Sequence, residues 1–174
     1  MTTFVAFLRG INVGGNNLIP KKELAVIGER AGLAGICTYI NSGNILFTSN
    51  RSEEELAAAL EKVLAGTTGK EIRVVIRSAE ELDGIVRSNP FPDAIPSQVG
   101  VMLVTVPVGK DILAEFVIPG REIAAAGKRE VYVYYPDGMG RSKLKWPPLL
   151  KTGTMRNITT LTNLAGLAGE KDGM

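Results

Sequence analysis

The order of apolar patterns in the first 77 residues constrains the fold more than any other feature of the chain. Strand-like runs and amphipathic helical stretches follow one another there as strand, helix, strand, strand, helix, strand. The predicted strands are residues 3–9, 36–40, 45–48 and 71–77; one helix begins with Pro20 at its first position and the other begins after Ser52. This β-α-β-β-α-β order is that of the ferredoxin-like arrangement.

The second half of the chain predicts a similar mixture of elements. Ser78 and Glu81 repeat the spacing of a capping box, ahead of a helix that Asn89-Pro90 ends. The other predicted strands are residues 99–106, 122–126 and 130–135, and the other predicted helices are 111–116, 142–150 and 158–167. We therefore expect an α+β protein of two ferredoxin-like halves packed together, with mostly antiparallel sheets. The expected subdomains are residues 1–77 and residues 78–174, the second with a basic C-terminal segment.

Composition limits the chemistry that the chain can perform. The 174 residues include no histidine, which excludes histidine-based triads and histidine metal sites. The single cysteine, Cys37, cannot form an internal disulfide or a cysteine cluster for zinc. No apolar run is long enough to span a membrane, and the N-terminus has no export signal. We expect a cytoplasmic protein with no cofactor, no metal and no membrane partner.

Positive charge is concentrated near the C-terminus. Residues 138–169 contain no acidic side chain, and they carry Arg141, Lys143, Lys145, Lys151 and Arg156. This segment is therefore +5, which leaves −3 for the rest of a chain whose net charge is +2. Such an asymmetry favours an anionic partner, although a solvated basic face would have the same composition.

Two polar segments are predicted to meet at one edge of the first sheet. Residues 9–17 include Arg9, Gly10, Asn12, Gly14 and Gly15, and their glycines allow backbone N–H groups to approach an anion. Residues 38–44, with Tyr39, Asn41, Ser42 and Asn44, read as a hairpin turn. Because the first two strands of such a unit are parallel, both segments follow strand ends at the same edge. A plain glycine-rich loop and a plain hairpin remain the structural alternatives.

A third polar segment precedes the last predicted helix. Thr154, Arg156 and Asn157 lie there, and an arginine beside an asparagine can bind an anion through two hydrogen bonds. The threonines and the asparagine can equally serve as helix N-caps. We predict that Arg9 and Arg156 converge on one anion, with Gly14 and Gly15 supplying N–H donors.

These segments together carry a resemblance to a known family. The runs FLRGINVGG at residues 7–15, TYINSGN at 38–44, NPF at 89–91 and TMRN at 154–157 resemble the DUF1697 family of bacterial proteins. The family usually has glutamine at the position of Asn41 and tryptophan at that of Ile158. The resemblance implies an α+β fold with ferredoxin-like halves, and it implies no activity, cofactor or catalytic residue.

Three classes of function remain open from the sequence. The first is a binding protein for a phosphorylated or otherwise anionic ligand, either nucleotide-like or a nucleic acid. The second is an enzyme that acts on a small phosphorylated substrate without histidine or a metal cluster. The third is a protein-interaction module that binds no small ligand. The candidate ligand-binding residues are Arg9, Gly10, Asn12, Gly14, Gly15, Tyr39, Asn41, Ser42, Asn44, Thr154, Arg156 and Asn157.

Overall fold

The structure is a computed structural model, and it describes residues 1–10, 19–39 and 43–173. Its contacts divide the chain into two units, Met1–Asp83 with Leu164–Met174, and Gly84–Asn163. The described residues form two four-stranded sheets in which every strand pair is antiparallel. Helices accompany both sheets, which confirms the predicted α+β class. No helix in the described ranges has the length and apolar character needed to cross a membrane.

The first sheet has the strand order β2-β3-β1-β4. Its strands are β1 (Thr2–Leu8), β2 (Ala34–Tyr39), β3 (Asn44–Ser49) and β4 (Val74–Ser78), and its helices are α1 (Lys21–Arg30) and α2 (Glu53–Thr68). The elements follow one another in the predicted β-α-β-β-α-β order. Six consecutive residues of β1, from Thr3 to Leu8, are buried, as expected of a strand between two neighbours.

Local signals define the two helices of the first sheet. The Ser52 hydroxyl accepts from Glu55 N, and the Glu55 carboxylate accepts from Ser52 N, so α2 begins with the predicted capping box. Gly69 ends α2 with a φ of +71°, a conformation that disfavours side chains larger than hydrogen. The core of this unit consists of apolar side chains from both helices and the inner face of the sheet, among them Phe4, Leu8, Leu24, Ile27, Ile45, Phe47, Leu56, Leu60 and Leu64.

The second sheet repeats the same order, as β6-β7-β5-β8. Its strands are β5 (Val99–Leu103), β6 (Ile123–Ala126), β7 (Glu130–Tyr134) and β8 (Thr154–Asn157). Helix α3 (Ala79–Arg87) lies between β4 and β5 in the chain, and helix α4 (Ile158–Asp172) follows β8. Each strand of the first sheet therefore has a counterpart four strands later in the chain: β5 corresponds to β1, β6 to β2, β7 to β3 and β8 to β4.

Two helix predictions for the second half are wrong in detail, and one strand was not predicted. Residues 111–116 lie almost entirely in a 3₁₀ segment, Lys110–Glu115, and residues 142–150 are not an α-helix. Short 3₁₀ segments lie just before residues 142–150, at Met139–Arg141, and at their C-terminal end, at Pro148–Thr152. Pro147 and Pro148 lack the N–H groups that a continuous helix would need. The unpredicted strand is β8, which pairs with β5.

A buried hydrogen bond joins β7 to α3 within the second unit. The Tyr132 hydroxyl donates to the Ile85 carbonyl at 2.6 Å, and the ring is 2% exposed. Burial, with a smaller contribution from Glu130, raises the pKa of the Tyr132 hydroxyl far above its usual value. The hydroxyl therefore stays protonated and remains a donor well into the alkaline range.

We expect Tyr132→Phe to lower the free energy of unfolding by about 1–3 kcal/mol, because it leaves the buried Ile85 carbonyl without this donor. Tyr134→Phe is the matched control, since Tyr134 lies on the same strand and is only partly buried. Urea denaturation, monitored by circular dichroism, gives the free energy of unfolding of both variants. Equal midpoints for the two variants would show that the hydrogen bond contributes nothing to stability.

Candidate functional site

Arg156 lies on β8, with its Cα paired to Val101 on the central strand β5. Its Nη1 donates to Thr154 Oγ1 at 2.8 Å and to the Met155 carbonyl at 2.9 Å. Thr154 is buried, and Arg156 is partly buried. Burial lowers the pKa of the Arg156 guanidinium to about 10, because removal from water disfavours the charged form. The strand therefore holds a partly desolvated cation at a defined position.

Asn157, the last residue of β8, immediately precedes helix α4. Its side-chain Oδ1 accepts a hydrogen bond from Thr160 N at 2.8 Å, which is the geometry of an N-cap. An anion would contact Asn157 through the amide nitrogen, because that nitrogen is the donor of the side chain. Helix α4 is 15 residues long, and the positive end of its dipole lies next to Arg156.

The first unit contains an equivalent arginine that the sequence analysis did not single out. Arg77 lies on β4, with its Cα paired to Val5 on the central strand β1, and its Nη1 donates to the Ile76 carbonyl at 3.1 Å. The following residue, Ser78, caps helix α3 by accepting from Glu81 N at 3.1 Å. A strand, an arginine, a capping residue and a helix thus occur in the same order in both units.

This correspondence extends along the following helices residue by residue. The two arginines are 79 residues apart, and so are the first residues of α3 and α4. At the same offset, buried Leu82 corresponds to buried Leu161, and buried Ile85 corresponds to buried Leu164. A comparison of the sequence with itself at this spacing could have found the arginine, because Arg and Leu recur as R-x-x-x-x-L.

The two arginines differ in what stands four residues after them. Glu81 Oε2 lies 3.6 Å from Arg77 Nε, whereas the position that corresponds to Glu81 holds Thr160. Arg77 is 0% exposed, while Arg156 keeps part of its surface in contact with water. The first unit therefore supplies a carboxylate to its arginine from its own helix, and the second unit has a neutral hydroxyl side chain at that place.

Several predicted site residues lie together at one end of the first sheet. Leu8 N donates to the Gly43 carbonyl at 2.9 Å, and Asn44 pairs with both Phe7 and Tyr39. Arg9 and Gly10 directly follow β1, so they lie at the same end of the sheet as Gly43, which precedes β3. The predicted residues Asn12, Gly14, Gly15, Asn41 and Ser42 fall outside the described ranges.

The described members of this group have defined structural contacts. Asn44 is fully buried, and its Nδ2 donates to the Tyr39 carbonyl at 3.2 Å, which ties β2 to β3. Arg9 is exposed, and its backbone N–H donates to the Arg73 carbonyl at 2.9 Å. Arg9 belongs to the first unit and Arg156 to the second, so their convergence on one anion stays a prediction.

Arginine side chains and backbone N–H groups are hydrogen-bond donors, the kind of group that an anion accepts from. Within residues 1–10, 19–39 and 43–173, no group of three or more His, Cys, Asp or Glu side chains could hold a metal ion. Arg121 and Asp137 form an exposed ion pair in the second unit, which lowers the pKa of the Asp137 carboxyl through the hydrogen bond from Arg121.

Comparison with known proteins agrees with the architecture. No curated protein matches the chain. Among solved structures, the chain is similar to the conserved bacterial protein SP0830 from Streptococcus pneumoniae, with a TM-score of 0.77 and 23% identity over 96% of this chain and 98% of that one. At this identity the likeness concerns the fold alone. The family model of DUF1697, described as a protein of unknown function, matches residues 1–132. The chain therefore belongs to the DUF1697 family.

Proposed function

We propose that the protein binds a small anionic ligand, phosphorylated or otherwise, and that Arg156 is the principal contact. The observation that carries this proposal is the Arg156 guanidinium, which is partly buried and is held in place by hydrogen bonds to Thr154 Oγ1 and to the Met155 carbonyl. Burial lowers the pKa of this guanidinium to about 10. An anion bound beside it would favour the charged form, because attraction between opposite charges is stronger away from water.

The surroundings of Arg156 support the same ligand class. The N-terminal end of α4 begins immediately after it, and helix N-termini favour negative charge. The chain from Arg141 to Lys151 adds basic side chains and no acidic ones, which would attract an anion from solution.

Arg156→Gln tests the proposal directly. We expect it to weaken the binding of sulfate, inorganic phosphate or acetate by about 10- to 150-fold, the equivalent of roughly 1.5–3 kcal/mol for a hydrogen bond to a charged group. Isothermal titration calorimetry measures the affinity, and circular dichroism verifies that the variant is folded. Removing the guanidinium removes both the positive charge and its directed N–H donors.

Lys151→Gln is the matched control for Arg156→Gln. It removes one positive charge from the same basic segment, but Lys151 is exposed. We expect a change of affinity below about threefold, the scale of an exposed charge. An equal loss of anion affinity in the two variants would show that the anion binds to a general basic surface and not to a defined site at Arg156. Full retention of anion affinity in Arg156→Gln would contradict the proposal. The same two variants can also be tested for binding of a nucleotide and of a short RNA.

The affinity is also expected to depend on pH in one direction. Sulfate and acetate keep a constant charge above pH 8, so a change in affinity between pH 8 and pH 11 reports on the protein. Arg156 is charged below its pKa of about 10 and loses its proton above it. Affinity should therefore be constant up to about pH 9 and fall above pH 10. The Arg156→Gln variant should lack this decline, and a decline of equal size in both proteins would exclude Arg156 as its cause.

A further inference from the structure

Helices α1 and α2 of the first unit border an open groove that anion binding at Arg156 does not use. The groove has a volume of about 360 Å³. Five residues of α1 and one of α2 line it, namely Lys22, Glu23, Val26, Ile27, Arg30 and Thr67. We propose that this groove is an interface between two copies of the chain, in which α1 of one copy packs antiparallel against α1 of the other.

The side chains that line the groove are accessible to a partner. Val26 is 43% exposed, although the next residue of α1, Ile27, is buried in the core. Lys22, Glu23 and Arg30 are exposed as well, and within residues 1–10, 19–39 and 43–173 none of these three side chains has an ion-pair or hydrogen-bond partner. An accessible apolar side chain with charged groups around it is typical of the centre and the rim of a protein–protein interface.

The charges at the groove are of both signs, and this determines the kind of partner that fits. Glu23 lies in the first turn of α1 and Arg30 in the last turn, with Val26 between them. A wholly anionic partner would be repelled by Glu23, and a wholly cationic partner would be repelled by Lys22 and Arg30. A suitable partner therefore presents an acidic group and a basic group on either side of an apolar one.

A second copy of α1 presents these groups at the required spacing. Glu23 and Arg30 are seven residues apart, which is about two helical turns or about 10 Å along the axis. When two such helices lie antiparallel with their Val26 side chains near the two-fold axis, Glu23 of each copy faces Arg30 of the other. Because a two-fold interface uses the same surface on both copies, this ion pair occurs twice in the dimer.

Charge reversal tests the interface, with analytical ultracentrifugation over a series of protein concentrations as the measurement. We expect the unmodified protein to form a concentration-dependent dimer, since a groove of this size is small for a permanent interface. Glu23→Arg should weaken dimerisation by about tenfold, because symmetry turns both ion pairs into repulsive pairs of arginines. Arg30→Glu should weaken it to the same extent. The double variant, Glu23→Arg with Arg30→Glu, should restore the dimer, because it exchanges the two charges and rebuilds both pairs.

Glu29→Arg is the matched control for Glu23→Arg. It makes the same change of charge on α1, and Glu29 is exposed but does not line the groove. We expect it to change the dimerisation constant by less than about threefold. Circular dichroism verifies that each variant is folded, and the two single variants decide the outcome if the double variant does not fold.

Three results would overturn the proposed interface. The first is an unmodified protein that stays monomeric at every concentration. The second is an equal effect of Glu23→Arg and Glu29→Arg on dimerisation, which would place any self-association elsewhere on the surface. The third is a folded double variant that associates no more strongly than Glu23→Arg. None of these results bears on anion binding at Arg156, which is measured separately.

Discussion

Glu81→Gln is expected to lower the free energy of unfolding by about 3 kcal/mol. The Arg77 side chain is 1% exposed, and its Nε lies 3.6 Å from Glu81 Oε2. Removal of one partner from a buried ion pair typically costs about 3–5 kcal/mol, because the remaining charge stays desolvated with less compensation. The lower end of that range applies, because the Glu81 side chain is 28% exposed and water screens part of the interaction.

Glu80→Gln provides the control for this change. Glu80 precedes Glu81 in the first turn of α3 and is exposed, so both variants lose one favourable charge at the helix N-terminus. That shared loss is about 0.3–1 kcal/mol. The excess loss in Glu81→Gln therefore measures the pairing with Arg77. Urea denaturation of the two variants gives the comparison, and equal midpoints would mean that the carboxylate near Arg77 does not stabilise the fold.

The fold of the first unit could be predicted because its signals are local. The Ser52 and Glu55 capping box, the helix stop at Gly69 and the β-branched residues of β4 are each signals that depend on a few neighbouring residues. Such signals act before any tertiary contact forms, and the structure has the expected elements in the expected order. The same holds for α3, whose start at the Ser78 cap was predicted from spacing alone.

The second unit was harder to predict because its elements depend on distant partners. Strand β8 has only four residues, and its extended form is stabilised by pairing with β5, more than fifty residues earlier in the chain. Nothing in residues 154–157 distinguishes a short strand from a helix start. The 3₁₀ segments have the same origin, since segments this short have no strong intrinsic preference and adopt the form that packing allows.

The importance of Arg77 was missed for a different reason. Arg77 stands in an apolar strand, VVIRS, whereas polar clusters are the sequence signal that marks an arginine as a candidate ligand-binding residue. The correspondence between Arg77 and Arg156 is seen only when β4 with α3 is compared with β8 with α4. The two sequences share little more than the arginine and the leucine five residues after it, Leu82 or Leu161. Strand order and register show the correspondence between the two units, whereas most of the aligned side chains differ.

Gly153→Ala is expected to destabilise the second unit by about 3 kcal/mol, at the upper end of the range for overpacked sites. A Cβ at this position would overlap the carbonyl oxygen of Leu103 and would lie 2.7 Å from Val104 Cγ1. The backbone of Gly153 has a φ of −86°, which alanine adopts readily, so the effect is steric and not conformational. Relief of the overlap requires β8 to move away from β5, since the Leu103 backbone is fixed by its own sheet pairing.

Gly84→Ala separates this steric effect from the general effect of replacing glycine. Gly84 lies within α3, and a Cβ there meets nothing within 4 Å, so alanine should stabilise the helix by about 0.5–1 kcal/mol. The two substitutions should thus shift the urea midpoint in opposite directions. Because Gly153 precedes Thr154 and Arg156 on β8, its displacement should also weaken anion binding in Gly153→Ala, and not in Gly84→Ala. A Gly153→Ala protein with unchanged stability would mean that β8 can separate from β5 at no cost, and the strand would then be too loose to position Arg156.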